Sequence, residues 1–239
     1  YKRQIQCCGL REPATNPTRN MGTPMIVSRF PQVFVEGDTD VPIVCALMTA
    51  AGWAYAEYTI FSAKGSGNII HAIDKHAEAA EWTPRILFLD SDNKCPVDMR
   101  ANLESKLANA PADFILRIVC TCIESWVLAD REGLANFCGV NIAAIPRPQK
   151  LAPRHNHKNE LLKVLRKSKS PKGRAMVHVD RGNKLHFSDS YTDHLDDLMT
   201  NHWDAERAAQ NNDSLRRAIA RLKDLRARLS TGAVPEVRQ

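Results

Sequence analysis

Residues 85–92 read Arg-Ile-Leu-Phe-Leu-Asp-Ser-Asp, an apolar run that ends in two carboxylates. Consecutive apolar residues bounded by charges are typical of a strand that is buried on both faces, as in a parallel sheet. Carboxylates are costly beside such a strand unless water, a hydrogen-bond donor or a cation meets them. The stretch therefore predicts a buried parallel strand whose carboxyl end carries a polar site.

The segments on both sides of this strand alternate between strand and helix patterns. Such alternation favours an α/β fold, a Rossmann-like parallel sheet with helices on both faces. The sequence predicts further strands over residues 32–36, 55–61 and 113–119, and helices over residues 39–51, 67–80, 97–108 and 123–138.

A second acidic stretch, Val-Glu-Gly-Asp-Thr-Asp at residues 35–40, follows the first predicted strand. Asp38 suits the capping of the next helix, and Asp40 suits either capping or a metal ion. Glu36 ends a strand and has no helix terminus of its own to cap. In parallel sheets, ligands bind outside the carboxyl ends of the strands. Since magnesium takes carboxylate oxygens, Glu36 and the Asp90–Asp92 pair predict a metal site.

The charge is distributed unevenly along the chain. Residues 1–146 carry 13 Lys/Arg against 16 Asp/Glu, whereas residues 147–184 carry 12 against two. An acidic half joined to a basic half suits a metal site that receives a polyanionic substrate. Basic surface that serves only solubility explains the same distribution equally well.

The remaining segments give three further expectations. Residues 1–24 are rich in proline and predict a flexible arm, residues 25–145 a catalytic domain, and residues 146–239 a basic, mainly helical extension that packs on the core. His157 is expected to face solvent or phosphate. The chain has no apolar run near the ~18 residues that span a bilayer, and its seven cysteines form no CxxC pair, so a cytoplasmic location is expected.

The two acidic stretches carry a resemblance to a known family. VEGDTD before a hydrophobic helix, and FLDSD at a later strand end, resemble the Toprim domain of topoisomerases, primases and OLD-family nucleases. The resemblance covers roughly residues 30–140. Residues 123–130, IESWVLAD, are similar to the signature of a small stand-alone Toprim-like family known as DUF4276. Lys94 departs from the pattern, because some Toprim proteins carry a third acid there.

This resemblance implies a set of site residues. It implies Mg²⁺ or Mn²⁺ held by Glu36, Asp40, Asp90 and Asp92. Glu124 and Lys158 would complete the catalytic residues, Lys158 as the cation near the scissile phosphate. For Glu124 a purely structural role at a helix start stays open. Residues expected to bind nucleic acid are Lys64, Arg154, Lys158, Arg166 and Lys167, the first of them in a Lys-Gly-Ser-Gly loop that is either a phosphate cradle or simply flexible.

The implied function is a magnesium-dependent nuclease that hydrolyses phosphodiester bonds in DNA or in RNA such as tRNA. The family further implies an effector of anti-phage defence that works with an ABC- or SMC-like ATPase, and a homodimer stays open. The alternative is a non-catalytic Toprim module that binds nucleic acid or a partner. Topoisomerase or primase chemistry is less favoured, because the chain has no room for the partner domain it needs.

Overall fold

The computed structural model describes residues 30–92, 94–148 and 156–231. The predicted arm at residues 1–24 lies outside these residues. The core is one parallel sheet in the order β2-β1-β3-β4. Its strands are β1 (Gln32–Val35), β2 (Thr59–Ser62), β3 (Arg85–Asp90) and β4 (Phe114–Val119). The α/β fold with a parallel sheet is therefore confirmed, whereas its assignment to the Toprim family stays a prediction.

Strand β3 lies inside the sheet and is buried on both faces. It pairs with β1 over residues 85–87 and with β4 over its whole length. Ile86 and Phe88 pack into the core on one face, and Leu87 and Leu89 into the core on the other. This alternation explains why the strand reads as an unbroken apolar run.

The first half of the chain supplies helices to both faces. These helices are α1 (Val41–Ala50), α2 (Ser66–His71), α3 (Ile73–Ala79), α4 (Pro96–Leu107), α5 (Glu124–Ala129) and α6 (Arg131–Cys138). Ile69, Ile73 and Leu103 of α2, α3 and α4 cover the face that contains Leu87. Helices α1, α5 and α6 pack on the opposite face. The single helices predicted over residues 67–80 and 123–138 are both wrong, because each is divided in two.

The division between α5 and α6 occurs at Asp130, which is buried and has a non-helical ψ of 83°. Its carboxylate accepts the Gly133 N–H at 3.2 Å and so begins α6. The same carboxylate accepts two hydrogen bonds from Arg207, at 2.9 and 2.8 Å. Asp130 thus interrupts the helix and binds Arg207, which lies 77 residues later in the chain.

The second half of the chain covers the face of the sheet that contains Ile86. Its elements are α7 (His157–Arg166), α8 (Pro171–Ala175), the antiparallel strands β5 (Val177–Val179) and β6 (Leu185–Phe187), α9 (Tyr191–Asn201), α10 (Ala205–Asn211) and α11 (Asp213–Thr231). Leu215, Leu222 and Leu225 of α11 are fully buried in the same cluster as Val33 of β1. The domain division at residue 145 stays a prediction. Across the described residues, no helix is both long and apolar enough to cross a bilayer.

Gly133 is a position where the fold leaves no room for a side chain. A Cβ atom there would clash with the carbonyl oxygen of His202 and with the Asp130 carboxylate. We expect Gly133→Ala to lower the free energy of unfolding by about 1–3 kcal/mol, because the clash involves backbone that cannot move cheaply. Urea denaturation measures this change.

Gly67→Ala is the matched control, since Gly67 also lies in a helix but no atom lies within 4 Å of a Cβ placed there. The control should leave stability unchanged or raise it slightly. Equal destabilisation by both substitutions would contradict the packing around Gly133.

Candidate functional site

Glu36 and Asp90 meet at the carboxyl ends of the neighbouring strands β1 and β3. Glu36 Oε1 accepts the backbone N–H of Asp90 at 2.7 Å. Asp90 Oδ1 in turn accepts the backbone N–H of Ile123 at 3.0 Å, just before α5. These two hydrogen bonds fix the orientation of both carboxylates. They use Oε1 of Glu36 and Oδ1 of Asp90, but not the second oxygen of either group.

Asp40 reaches the same place from the turn that leads into α1. Its Oδ2 accepts the Gly37 N–H at 2.8 Å, which folds the carboxylate back over the turn. Asp38 makes no capping hydrogen bond and instead forms an ion pair with Lys64. The expected capping role of Asp38 is therefore wrong, and Asp40 supplies the turn with its acceptor.

Glu124 and Lys158 complete the cluster. Glu124 is the first residue of α5, only 4% exposed, and its Oε2 has no hydrogen-bond partner among the described residues. The Lys158 Nζ lies 4.0 Å from Glu124 Oε1 and 3.9 Å from Asp90 Oδ2. We call Glu36, Asp40, Asp90, Glu124 and Lys158 the acid cluster.

The pKa values of the four carboxyl groups in the acid cluster are all shifted in the same direction. Burial, followed by the charges of Glu124, Asp40 and Glu36, raises the pKa of Asp90 to about 8. Burial is also the main reason why the pKa values of Glu36, Asp40 and Glu124 are raised. The charge of Lys158 lowers each of these pKa values but does not outweigh burial.

For Lys158, unlike the carboxyl groups, the effect of the neighbouring charges on the pKa is larger than the effect of burial. Burial alone would lower the pKa of Lys158, but the carboxylates of Glu124 and Asp90 outweigh it and raise that pKa. The lysine is thus held firmly in its charged form. Its side chain is still 50% exposed, so the cation also faces solvent and any ligand that enters.

Asp92 lies at the rim of the acid cluster and is exposed. Its backbone has a φ of 49° and its N–H donates to the carbonyl of Thr121 at 2.7 Å. The Asp92 charge contributes to the raised pKa of Glu36, so the two groups interact. The structure places Asp92 near the other acids without a direct contact to them.

Lys158 is positioned by its neighbour His157, which is only 5% exposed. The Nδ1 atom of His157 is hydrogen-bonded to the Thr121 hydroxyl at 2.8 Å. Ser91 Oγ accepts the N–H of Thr121 at 2.9 Å, which connects this bond to the end of β3. The expectation that His157 faces solvent is wrong. It anchors the start of α7 beside the acids.

Tyr191 is a residue of this region that the sequence patterns did not reveal. It begins α9, is fully buried, and its hydroxyl has no hydrogen-bond partner among the described residues. Burial, together with the Glu124 and Asp40 charges, raises the pKa of Tyr191. No local motif marks this residue, because packing of α9 on α1 and on the turn at residues 38–40 brings it there.

The residues predicted to bind nucleic acid do not gather in one place. Lys64 forms an ion pair with Asp38, and the N–H of Gly65 donates to the carbonyl of Glu36 at 2.8 Å. This part of the loop is therefore bound to the segment that follows β1. Arg166 and Lys167 lie at the far end of α7, about 12 Å along the helix from Lys158. Arg154 lies outside the described residues.

The donor set of the acid cluster suits a hard divalent cation. Within the three described segments, no three His, Cys, Asp or Glu side chains are already arranged to hold a metal ion. Among these residues, however, the buried Oε2 atom of Glu124 has no hydrogen-bond partner, so at least this acidic oxygen lacks a donor. Oxygen-rich sites of this kind fit Mg²⁺ or Mn²⁺ better than Zn²⁺.

Comparison with known proteins adds no further constraint. The Toprim assignment suggested by residues 35–40, 88–92 and 123–130 stays a prediction. No family model matches the chain, and no curated protein or solved structure matches it either.

Proposed function

We propose that this protein is a nuclease that hydrolyses phosphodiester bonds and depends on Mg²⁺ or Mn²⁺. The observation that supports this most directly is the acid cluster at the carboxyl edge of the sheet. Lys158 Nζ lies 3.9 Å from the Asp90 carboxylate and 4.0 Å from that of Glu124, and its charge also acts on Glu36 and Asp40. Among the described residues, one buried oxygen of Glu124 has no hydrogen-bond partner. A structural cluster would be expected to satisfy its buried oxygens internally.

Glu36, Asp40 and Asp90 are the residues that would hold the metal, with Asp92 available from the rim. A bound divalent ion supplies Lewis acidity and lowers the pKa of a water molecule. The hydrogen bonds from Asp90 N–H and Ile123 N–H fix the direction in which the Glu36 and Asp90 carboxylates present their remaining oxygens. This preorganisation limits the reorganisation needed during the reaction.

Lys158 contributes a cation for the phosphate that is attacked. The His157–Thr121 hydrogen bond holds the start of α7, and the half-exposed Lys158 ammonium faces both the carboxylates and solvent. A phosphodiester that enters can therefore meet a positive charge next to the acidic oxygens. Glu124, buried behind this lysine, keeps it charged and correctly placed.

The experiment that tests this proposal is incubation of the purified protein with labelled DNA and RNA. We expect cleavage with Mn²⁺ or Mg²⁺, none with a chelator, and none by Glu36→Gln, which keeps the acceptor for Asp90 N–H but removes the charge. Gel electrophoresis of the products measures the result. Binding without cleavage under every metal condition, unchanged by Glu36→Gln, would show that the protein is not a nuclease.

A non-catalytic module that binds nucleic acid or a partner is the second candidate. One observation favours it: Lys158 stands between the Asp90 and Glu124 carboxylates, and no ready metal arrangement exists among the described residues. Under this alternative the cluster is a structural ion pair. The cleavage assay separates the two candidates.

The biological setting is proposed from the Toprim resemblance alone. It is the effector role in anti-phage defence, with an ABC- or SMC-like ATPase as the partner. Co-purification of the protein with such an ATPase from cells tests this part of the proposal.

A further inference from the structure

A cavity of about 380 Å³ lies beside the acid cluster, next to the edge strand β4. It is open to solvent on one side and is lined by residues of β4, of α5, of the start of α7 and of the first turn of α11. Thr121 lines the cavity, and its carbonyl accepts the N–H of Asp92. His157, which precedes Lys158, lines it as well. The cavity and the acid cluster therefore share a wall.

Arg117 lines this cavity from β4 and has an unmet hydrogen-bonding group. Its Nη2 donates to the Ser214 carbonyl at 3.4 Å, while its Nε is buried and has no hydrogen-bond partner among the described residues. Burial lowers the pKa of Arg117, and the charges of Arg217, Arg100 and Arg221 lower it further. Arginines from α4 and α11 thus surround a guanidinium whose charge is poorly compensated.

The negative charge in the cavity wall is small and already paired. Among the described lining residues Asp213 is the only carboxylate. Its Oδ2 accepts from Arg217 Nε at 2.6 Å, and its Oδ1 pairs with Arg216. The cavity consequently keeps an excess of positive charge, in contrast to the acid cluster on the other side of Thr121.

We propose that this cavity binds a phosphate group of the nucleic acid strand, one that flanks the bond cleaved at the acid cluster. The position of this phosphate next to the cleaved bond rests on the proposed nuclease function, whereas the phosphate site itself does not. Guanidinium groups present several donors in one plane and match phosphate oxygens. A phosphate would lie beside the Arg117 and Arg217 side chains that line the cavity and would relieve the repulsion among the arginines. The volume lies within the roughly 300–1,000 Å³ of ligand pockets, so it also admits part of the nucleotide.

Arg217 and Arg216 form a matched pair for the test. Both are exposed arginines of α11 that pair with Asp213, but only Arg217 lines the cavity. We expect Arg217→Gln to weaken the binding of a short single-stranded oligonucleotide with a 5′-hydroxyl by about fivefold or more. Arg216→Gln should change it by less than about twofold, since a rim charge acts only at a distance.

The affinities are measured by fluorescence anisotropy with labelled DNA and RNA hexanucleotides, at constant low salt and in the presence of a chelator. Inorganic phosphate is the competitor, and it should displace the oligonucleotide from the wild type more effectively than from Arg217→Gln. Arg117→Gln should have the larger effect, and its circular dichroism and melting curve report whether it is folded. The Arg217 side chain is 69% exposed, so its replacement should not disturb folding. The Arg217→Gln variant therefore tests the site even if Arg117→Gln does not fold.

Three results would overturn the phosphate site. These are equal losses for Arg217→Gln and Arg216→Gln, the absence of any binding by the wild type, and an effect confined to oligonucleotides with a 5′-phosphate, which would indicate a site for strand ends. The chelator excludes metal-dependent cleavage from these measurements. A protein that binds as expected but never cleaves would therefore disprove the nuclease and leave the phosphate site intact.

Discussion

Replacing Asp90 with asparagine is expected to lower the rate of phosphodiester cleavage by at least about 10³-fold while the protein stays folded. Asparagine keeps the acceptor oxygen for the Ile123 N–H but cannot supply the anionic oxygen that a metal ion needs. The substitution also mimics the neutral form that burial favours at this position. Initial rates of cleavage with saturating Mn²⁺ measure the effect.

Asp38→Asn is the matched control for this prediction. Asp38 is also a carboxylate close to the end of β1, but it is exposed and pairs with Lys64 outside the acid cluster. We expect its replacement to change the cleavage rate by less than about threefold. Comparable rates for Asp90→Asn and the wild type would refute a catalytic metal site at the end of β3.

The second large effect concerns the pH dependence of stability in the absence of metal. The pKa of Asp90 is raised from its unfolded value near 3.8 to about 8, so the folded protein binds one more proton than the unfolded chain across that window. The free energy of unfolding must then fall as the pH rises, by up to roughly 1.4 kcal/mol per pH unit. The contribution is fully present below pH 4 and is lost once the pH exceeds about 8.

Urea denaturation at several pH values between 5 and 9, with a chelator present, measures this dependence. Other groups also titrate in the interval, since burial lowers the pKa of His76 and gives the opposite slope near pH 6. The difference between the wild type and Asp90→Asn removes these contributions. We expect the variant to be more stable than the wild type by a margin that grows as the pH rises from 5 to 8 and then levels off. Parallel profiles would contradict the raised pKa of Asp90.

The parallel sheet could be predicted because its strands are buried on both faces. Residues 85–90 read as a continuous apolar run, and the sheet places them between two other strands. The pairing of Glu36 with Asp90 also followed from a general rule, since carboxyl ends of parallel strands lie at one edge. Both predictions needed only local sequence and a topological principle.

The remaining features depended on contacts between distant parts of the chain. Residues 123–138 contain no proline, and the break between α5 and α6 lies at Asp130, which caps α6 locally and binds Arg207 across 77 positions. His157 looked like a surface residue because its neighbours in sequence are polar. Its burial arises from the hydrogen bond to Thr121 across 36 positions. Tyr191 and Arg117 likewise acquire their surroundings from helices packed over the sheet.

Lys158 is synthesised 34 residues after Glu124, the last of the four acids in the cluster. At translation rates of about 5–20 residues per second, the acids precede their lysine by roughly 2–7 s. During that interval the repulsion among Glu36, Asp90 and Glu124 is not offset by the charge of Lys158. We therefore expect this edge of the sheet to gain its full stability only after the start of α7 has been synthesised, because Lys158 lies there.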